Sequence, residues 1–273
     1  MTCDLEMTAP GYKRDPFSIM DEACSLAPDA PVFGLFSGGH DSFVSSHLAS
    51  QHPRFVGIVH VNTGIGIELS RVFVREMCRM FGWPLYEYKA TELPTPQIYE
   101  EIVMKYGFPG PSQHSTMYSL LKERCLRRLK GDYARRRDIV LITGIRKQES
   151  VKRMGYAREI DKRGQWGWTA PTVDWSEEDC RSYMNAYNLP RNPVKDKLCI
   201  SGECLCGAFA RPGERLEIRE HFPEIDDRLT RLEKCAVNTP CPKWGSGGPS
   251  YEKLQERKGQ TSMFMPLCVG CGL

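Results

Sequence analysis

The chain has 273 residues, 41% of them hydrophobic, with 37 Lys and Arg against 34 Asp and Glu. That is enough for one large domain, or a domain with an appendage, around a sizeable core, and the net charge of +3 is too small to point to nucleic acid by itself. No run approaches the roughly 18 apolar residues of a membrane span, and the opening MTCDLEMTAPGYKRD lacks the charged-then-apolar pattern of a secretory leader, so the expected location is cytoplasmic.

In chain order, residues 31–143 alternate apolar runs with amphipathic segments. PVFGLF precedes a helix from about Asp41, RFVGIVHV precedes a helix near Ile67–Phe81, and PLYEY and DIVLITG read as further strands. Short apolar runs separated by helices predict an α/β fold: an open, mostly parallel twisted sheet with helices on both faces. Residues 94–115, rich in Pro, Gly and Gln, read as an active-site loop around a short helix. KERCLRRLKGDYARRR, residues 122–137, carries eight Lys and Arg against two acids, which suits a solvated helix face or a phosphate-rich polymer. GQWGWTAP and CPKWGSGG read as Gly-rich loops whose Trp166, Trp168 and Trp244 anchor the loops or stack on a base. Ser176 and the acids after it predict a helix start, and Asn188–Pro193 its end. Short helices are expected near 207–220 and 224–234. The chain therefore divides into an α/β domain over 1–198 and a Cys-rich region over 199–273 packed on it.

Twelve cysteines in a reducing compartment point to metal or sulfur chemistry before a disulfide framework. Cys3, Cys24, Cys78, Cys125 and Cys180 are scattered and read as core residues. KLCISGECLCG and PLCVGCGL supply C-x4-C-x-C and C-x2-C, in which thiolates can share one metal or cluster; the spacing does not distinguish zinc from iron–sulfur. Cys199, Cys204, Cys206, Cys268 and Cys271 are the candidate ligands, with Cys235 and Cys241 as alternates.

At the first strand's end, Ser37-Gly38-Gly39-His40-Asp41-Ser42 allows a tight curve of backbone N–H groups with a helix N-terminus behind it, an arrangement that binds anions. Neither the Rossmann glycine fingerprint nor the Gly-Lys-Ser/Thr phosphate loop is present. The S-G-G-x-D-S string resembles the pyrophosphate-binding loop of the ATP pyrophosphatase (PP-loop) superfamily. HVNTGIGIE, LITGIRKQESVKR and APTVDWSEEDCRSYMNAYNLPRNP resemble, in order, three segments of its phosphoadenosine phosphosulfate (PAPS) reductase branch.

This resemblance covers roughly residues 31–195 and implies site roles. Ser37, Gly38, Gly39, Asp41 and Ser42 would hold phosphates; Asn62, Thr63 and Gly64 would lie by the nucleotide crevice. Gly144 and Arg146 would close over the nucleotide, Arg153 would add a second guanidinium, and Asp41, Ser42 and Arg146 would be catalytic. The implied cofactors are ATP with Mg2+ and a [4Fe-4S] cluster on Cys199, Cys206, Cys268 and Cys271, with Cys204 as substitute or sulfur carrier and zinc as the alternative metal. Asn62 stands where the family often has Asp, which removes a charge from the magnesium contact. The intact Asp41 and Ser42, altered in the reductases proper, favour ATP over a 3′-phosphorylated nucleotide. The cysteine spacing departs from the family's tandem Cys-Cys. The terminal Cys271-Gly-Leu273 is similar to the reductases' ECGLH ending, but with Gly270 for Glu and no final His. The implied activity is ATP-dependent sulfur transfer to a DNA phosphate or tRNA base, with a cysteine desulfurase or other sulfur donor as partner. The alternatives are a PAPS or adenylylsulfate reductase, a protein similar to the ATP sulfurylase small subunit, and a non-catalytic nucleotide-binding module.

Overall fold

The computed structural model describes residues 13–135, 137–149 and 157–246. Six strands form one sheet: β1 (Val32–Leu35), β2 (Phe55–Asn62), β3 (Leu85–Lys89), β4 (Ile139–Ile142), β5 (Ile160–Arg163) and β6 (Trp166–Thr169), in the order β3-β2-β1-β4-β6-β5. All neighbours pair parallel except β5, which runs antiparallel to β6 at the edge. Central β1 and β4 are buried throughout, as expected of strands covered on both faces.

The helices are α1 (Pro16–Ser25), α2 (His40–Ser50), α3 (Glu68–Met80), α4 (Tyr99–Tyr106), α5 (His114–Tyr118), α6 (Arg124–Tyr133), α7 (Glu177–Ala186), α8 (Pro193–Leu198), α9 (Glu214–His221) and α10 (Pro223–Cys235). A π-helical stretch, Ser119–Glu123, joins α5 to α6. Helix α7 starts as its sequence requires: Ser176 accepts from the Asp179 N–H while Asp179 accepts from Ser176, a reciprocal cap. On one face of the sheet, residues of α1, α2, α3 and α7 pack on Val32, Ile58, Val140 and Ile142. On the other, Leu126 and Leu129 of α6 pack on Phe33, Leu35, Val59 and Leu141.

Three expectations need correction. WGWT is a strand rather than a loop, because its alternating indoles and small residues fit the pleat beside β4. Residues 94–115 hold the expected short helix, α4, but its Tyr99, Ile102 and Val103 are core residues and the stretch lines no part of the large cleft described below. The first helix beyond residue 199 begins at Glu214, later than expected.

Residues 199–246 share a core with the sheet's carboxyl end. Leu205, Ala208, Ile218, Leu229 and Trp244 cluster with Ile65, Ile67, Tyr99 and Leu121. A strap over 201–205 runs along the loop after β2: Ile67 N donates to Gly202 O at 2.8 Å and Leu205 N to Ile65 O at 2.9 Å. The approach is close enough that a Cβ on Gly66 would stand 2.3 Å from Glu203 O. Among the described residues, no helix is long and apolar enough to cross a membrane.

Candidate functional site

The strand order reverses between β1 and β4, and open α/β sheets bind ligands beyond the carboxyl ends of strands at such a point. Residues 37–42 lie there. Gly38 takes φ +85°, open to glycine at little cost, and its carbonyl accepts from Asn192 Nδ2 at 2.9 Å. Asn192, 1% exposed, also reaches Ser70 Oγ at 3.1 Å, so it fastens the loop to α3. Gly39 caps α2 without a side-chain hydrogen bond, which leaves the first-turn N–H groups and the positive end of the helix dipole to an anion.

The two serines are turned inward. Ser37 Oγ and Ser42 Oγ lie 3.1 Å apart, and Ser42 Oγ donates to Gly39 O at 2.9 Å, so these hydroxyls hold the loop closed. Asp41 forms a two-point pair with Arg146: Nε to Oδ1 is 2.9 Å and Nη2 to Oδ2 3.1 Å. Arg146 is 6% exposed, and its Nη1 donates to Trp175 O at 3.3 Å. Gly144 has a steric reason, since a Cβ there would fall 2.5 Å from the Asp41 carbonyl carbon and the Ser42 nitrogen.

In front of this loop opens a cleft of about 720 Å³, reached by α7, α8 and the turn between them. Three of its cations are matched by acids of the same wall: Arg146 by Asp41, Arg181 by Glu177 at 3.4 Å, and Arg191 by Asp196 at 2.6 Å. Lys195 has no carboxylate partner among the described residues; its Nζ donates to Cys199 O at 2.7 Å. Burial pushes its pKa down against the opposing pull of Asp41. Burial, with the charges of Lys195 and Arg191, also lowers the pKa of His40 and keeps that ring neutral near pH 7. An anion entering here would meet a helix N-terminus, one uncompensated ammonium, and arginines that can exchange carboxylate for phosphate. Cys180 and Cys199 line the same cleft. Burial and then the Asp41 charge push the Cys180 thiol well up, which makes it a poor thiolate.

Asn62, Thr63 and Gly64 sit at the carboxyl end of β2 but do not line this cleft, and Thr63 is held by the strap. Thr63 N donates to Glu203 Oε1 at 3.0 Å and Thr63 Oγ1 to Glu203 O at 2.9 Å. Asn62 Nδ2 donates to Glu87 Oε1, and its Oδ1 accepts from Gly64 N, both at 3.0 Å. Arg75 holds the Glu87 carboxyl down to about 2, with a smaller contribution from Asn62 against the effect of burial. Glu203 is itself buried, with Oε2 3.2 Å from His60 Nε2 and 3.4 Å from Arg71 Nε.

The cysteines separate. Cys199 is exposed in the large cleft, whereas Cys204 and Cys206 line a small cavity of about 50 Å³ on the strap. Among the described residues, no three His, Cys, Asp or Glu side chains converge as a metal group. Arg153, Cys268 and Cys271 lie outside the described residues. Asn192, Arg191, Lys195 and Glu203 escaped the sequence reading. Asn192 had a signal in the quoted LPRNP, while the others become visible only when distant segments meet.

An open α/β layer with an uncapped phosphate-type loop at the switch point defines a nucleotide-binding class of protein. The sequence model of the phosphoadenosine phosphosulfate reductase domain matches residues 31–206, and the chain belongs to that family. It is 24% identical over 184 residues to a phosphoadenosine 5′-phosphosulfate reductase of Photobacterium profundum, covering 65% of this chain and 68% of that one. It is also 24% identical over 201 residues to an uncharacterized protein of Methanocaldococcus jannaschii, covering 73% of this chain but spanning only 46% of the relative. Among solved structures, the PAPS reductase of Candida auris in its phosphate complex superposes with a TM-score of 0.50 at 17% identity, over 67% of this chain and 84% of that one. The U34-tRNA thiolase NcsA of Methanococcus maripaludis, with its [4Fe-4S] cluster, gives 0.45 at 15% identity over 94% and 95%.

Proposed function

We propose that the chain is an ATP pyrophosphatase-type sulfur-transfer enzyme that adenylates an acceptor, a DNA phosphate or a tRNA base, for sulfur incorporation. One observation carries this reading: Asp41 and Ser42 are intact at an uncapped helix N-terminus, in front of a cleft whose Lys195 has no carboxylate partner among the described residues. The acceptor oxygen attacks the α-phosphorus of ATP, and the bond to the bridging oxygen breaks with its electron pair leaving on pyrophosphate. The first-turn N–H groups of α2, Lys195 and Arg146 offset the charge that develops there. A sulfide-level sulfur donor then displaces AMP, its lone pair forming the new bond to the acceptor as the acceptor oxygen leaves on AMP; where a desulfurase supplies persulfide sulfur instead, a thiol reductant provides the two electrons that cleave the resulting S–S bond.

Magnesium, when bound, neutralises phosphate charge. Asp41 would supply a hard oxygen for it once Arg146 turns to phosphate, consistent with an ion held by one or two carboxylates plus substrate phosphates; the Asn62 oxygen accepts from Gly64 N and lies outside the cleft. Cys204 and Cys206 line one small cavity and would supply two soft donors toward an iron–sulfur cluster or zinc.

A second reading, reduction of PAPS, is favoured by the exposed Cys199 thiol on the wall of the cationic cleft. Anaerobically purified protein with ATP, nucleic acid and a sulfur donor should release pyrophosphate, and Asp41→Ala should abolish the release. Sulfite formed from PAPS and thioredoxin, with no pyrophosphate from ATP, would establish the second reading instead.

A further inference from the structure

On the opposite face of the sheet from α2, a groove of about 440 Å³ runs between α6 and the β5–β6 hairpin. Its floor carries Trp166 and Trp168, which sit two residues apart on β6 and so share a face. Their rings lie 6.1 Å apart and 18° from parallel. Both are half-buried, packed inward against the cluster of Leu126, Leu129 and Leu141, and outward they line the groove. Tyr118 and Ile145 line the groove beside them.

Positive charge lies along this groove. Lys130 Nζ stands 5.9 Å from the Trp166 ring and donates to Gln165 Oε1 at 2.8 Å. Arg158 lines the groove with no acidic partner among the described residues, and Arg124, Arg135 and Arg137 are exposed on and just beyond α6. Two acids also line the groove, and each is matched: Glu123 by Arg127 at 2.7 Å and Asp161 by Arg163 at 2.5 Å. Stacked indoles beside uncompensated cations fit one ligand chemistry, a π-faced base carried on a phosphate chain. A duplex hides its base faces, so the strand must be single.

We infer that the Trp166–Trp168 groove binds an unpaired nucleobase of a single-stranded polynucleotide and is the docking site of the nucleic-acid acceptor. This rests on the sulfur-transfer reading. The fold links the two sites through one segment: Thr143 and Ile145 face the groove, while Arg146 faces the cleft.

The test is titration of the full chain, without ATP, with short (~12-nucleotide) fluorescent single strands of RNA and of DNA and with the matching duplexes. Single strands should bind more tightly than duplexes and quench the indoles; the relative affinity of the RNA and DNA arms assigns the acceptor. Trp166→Ala and Trp168→Ala should each weaken binding about tenfold, and Trp168→Phe should restore most of it. Lys130→Ala should weaken all sequences alike and lower the salt slope by about one. Because the alanine variants touch the core, Arg158→Glu provides a probe of the same groove that leaves packing intact. Unchanged single-strand affinity in Trp168→Ala and Arg158→Glu, equal affinity for duplex, or no binding overturns the inference. Pyrophosphate release is measured separately: its absence in a protein that still binds single strands through the groove removes the sulfur-transfer reading alone.

Discussion

Gly144 separates what a motif reveals from why it exists. The resemblance marks the position, yet the reason is the backbone of Asp41 and Ser42 lying 2.5 Å from where a Cβ would be. Gly144→Ala should therefore push the β4 loop off α2 and cost about 1–3 kcal/mol, read as a lower denaturation midpoint. Gly131, inside α6 with nothing within 4 Å of its Cβ position, makes the contrast: Gly131→Ala should stabilise by about 0.5–1 kcal/mol. The serines of the loop carry a similar lesson. Their hydroxyls fit phosphate in the sequence, whereas in the fold they bond each other and Gly39 O.

Among the elements, the strap over 201–205 matters most, because it brings Glu203 into a buried group with His60, Arg71 and Thr63 N. Glu203→Ala would leave buried His60 without its carboxylate and Arg71 with the exposed Glu68 alone, and a loss of about 3 kcal/mol is expected in chemical denaturation. Burial alone would lower the His60 pKa, but the Glu203 charge and hydrogen bond raise it above the ordinary 6.5. The stability from protonated His60 is then fully present below about pH 6.5 and is lost as pH rises through the raised value. Denaturation midpoints of the wild type should fall as pH rises from about 6.5 through the raised value, and His60→Gln should flatten the dependence. Strands β1 to β4 and helices α2, α3 and α7 were legible because apolar period and caps are local signals. Strand β5, Ile-Asp-Lys-Arg, carries no apolar alternation, and β6 is four residues long with a glycine inside it, so pairing with β4 decides both. The short helix expected within 94–115 is α4, but the flanking Pro and Gly gave no sign that its Tyr99, Ile102 and Val103 would be core residues.

Across the whole molecule, the cysteines sort by surroundings. Burial pushes the thiols of Cys78 and Cys125 up to about 12, which suits inert core residues, while Cys204 and Cys206 lie together on the strap. Anaerobically purified chain should carry about four iron atoms; Cys204→Ser or Cys206→Ser should lose them and Cys78→Ser should not, with one zinc per chain as the result that assigns the other metal. A ligand held by the cleft stabilises the native state by about 2.7 kcal/mol at 100 times its Kd. Saturating ATP should thus raise Tm by several degrees, and Arg146→Ala should remove most of that shift. The cleft's position at the strand reversal was legible from the strand order, but its lining was not, since Arg191, Lys195 and Cys199 reach it only once α8 packs on α3.

The strap also sets a schedule. Thr63 receives its carboxylate from a residue 140 positions later, and His60 and Arg71 wait for the same side chain. A chain emerging from the ribosome at about 5–20 residues per second leaves the end of β2 unsatisfied for several seconds after it is made. The carboxyl end of β2 therefore acquires its buried carboxylate only with the segment that bears Cys204 and Cys206, late in synthesis.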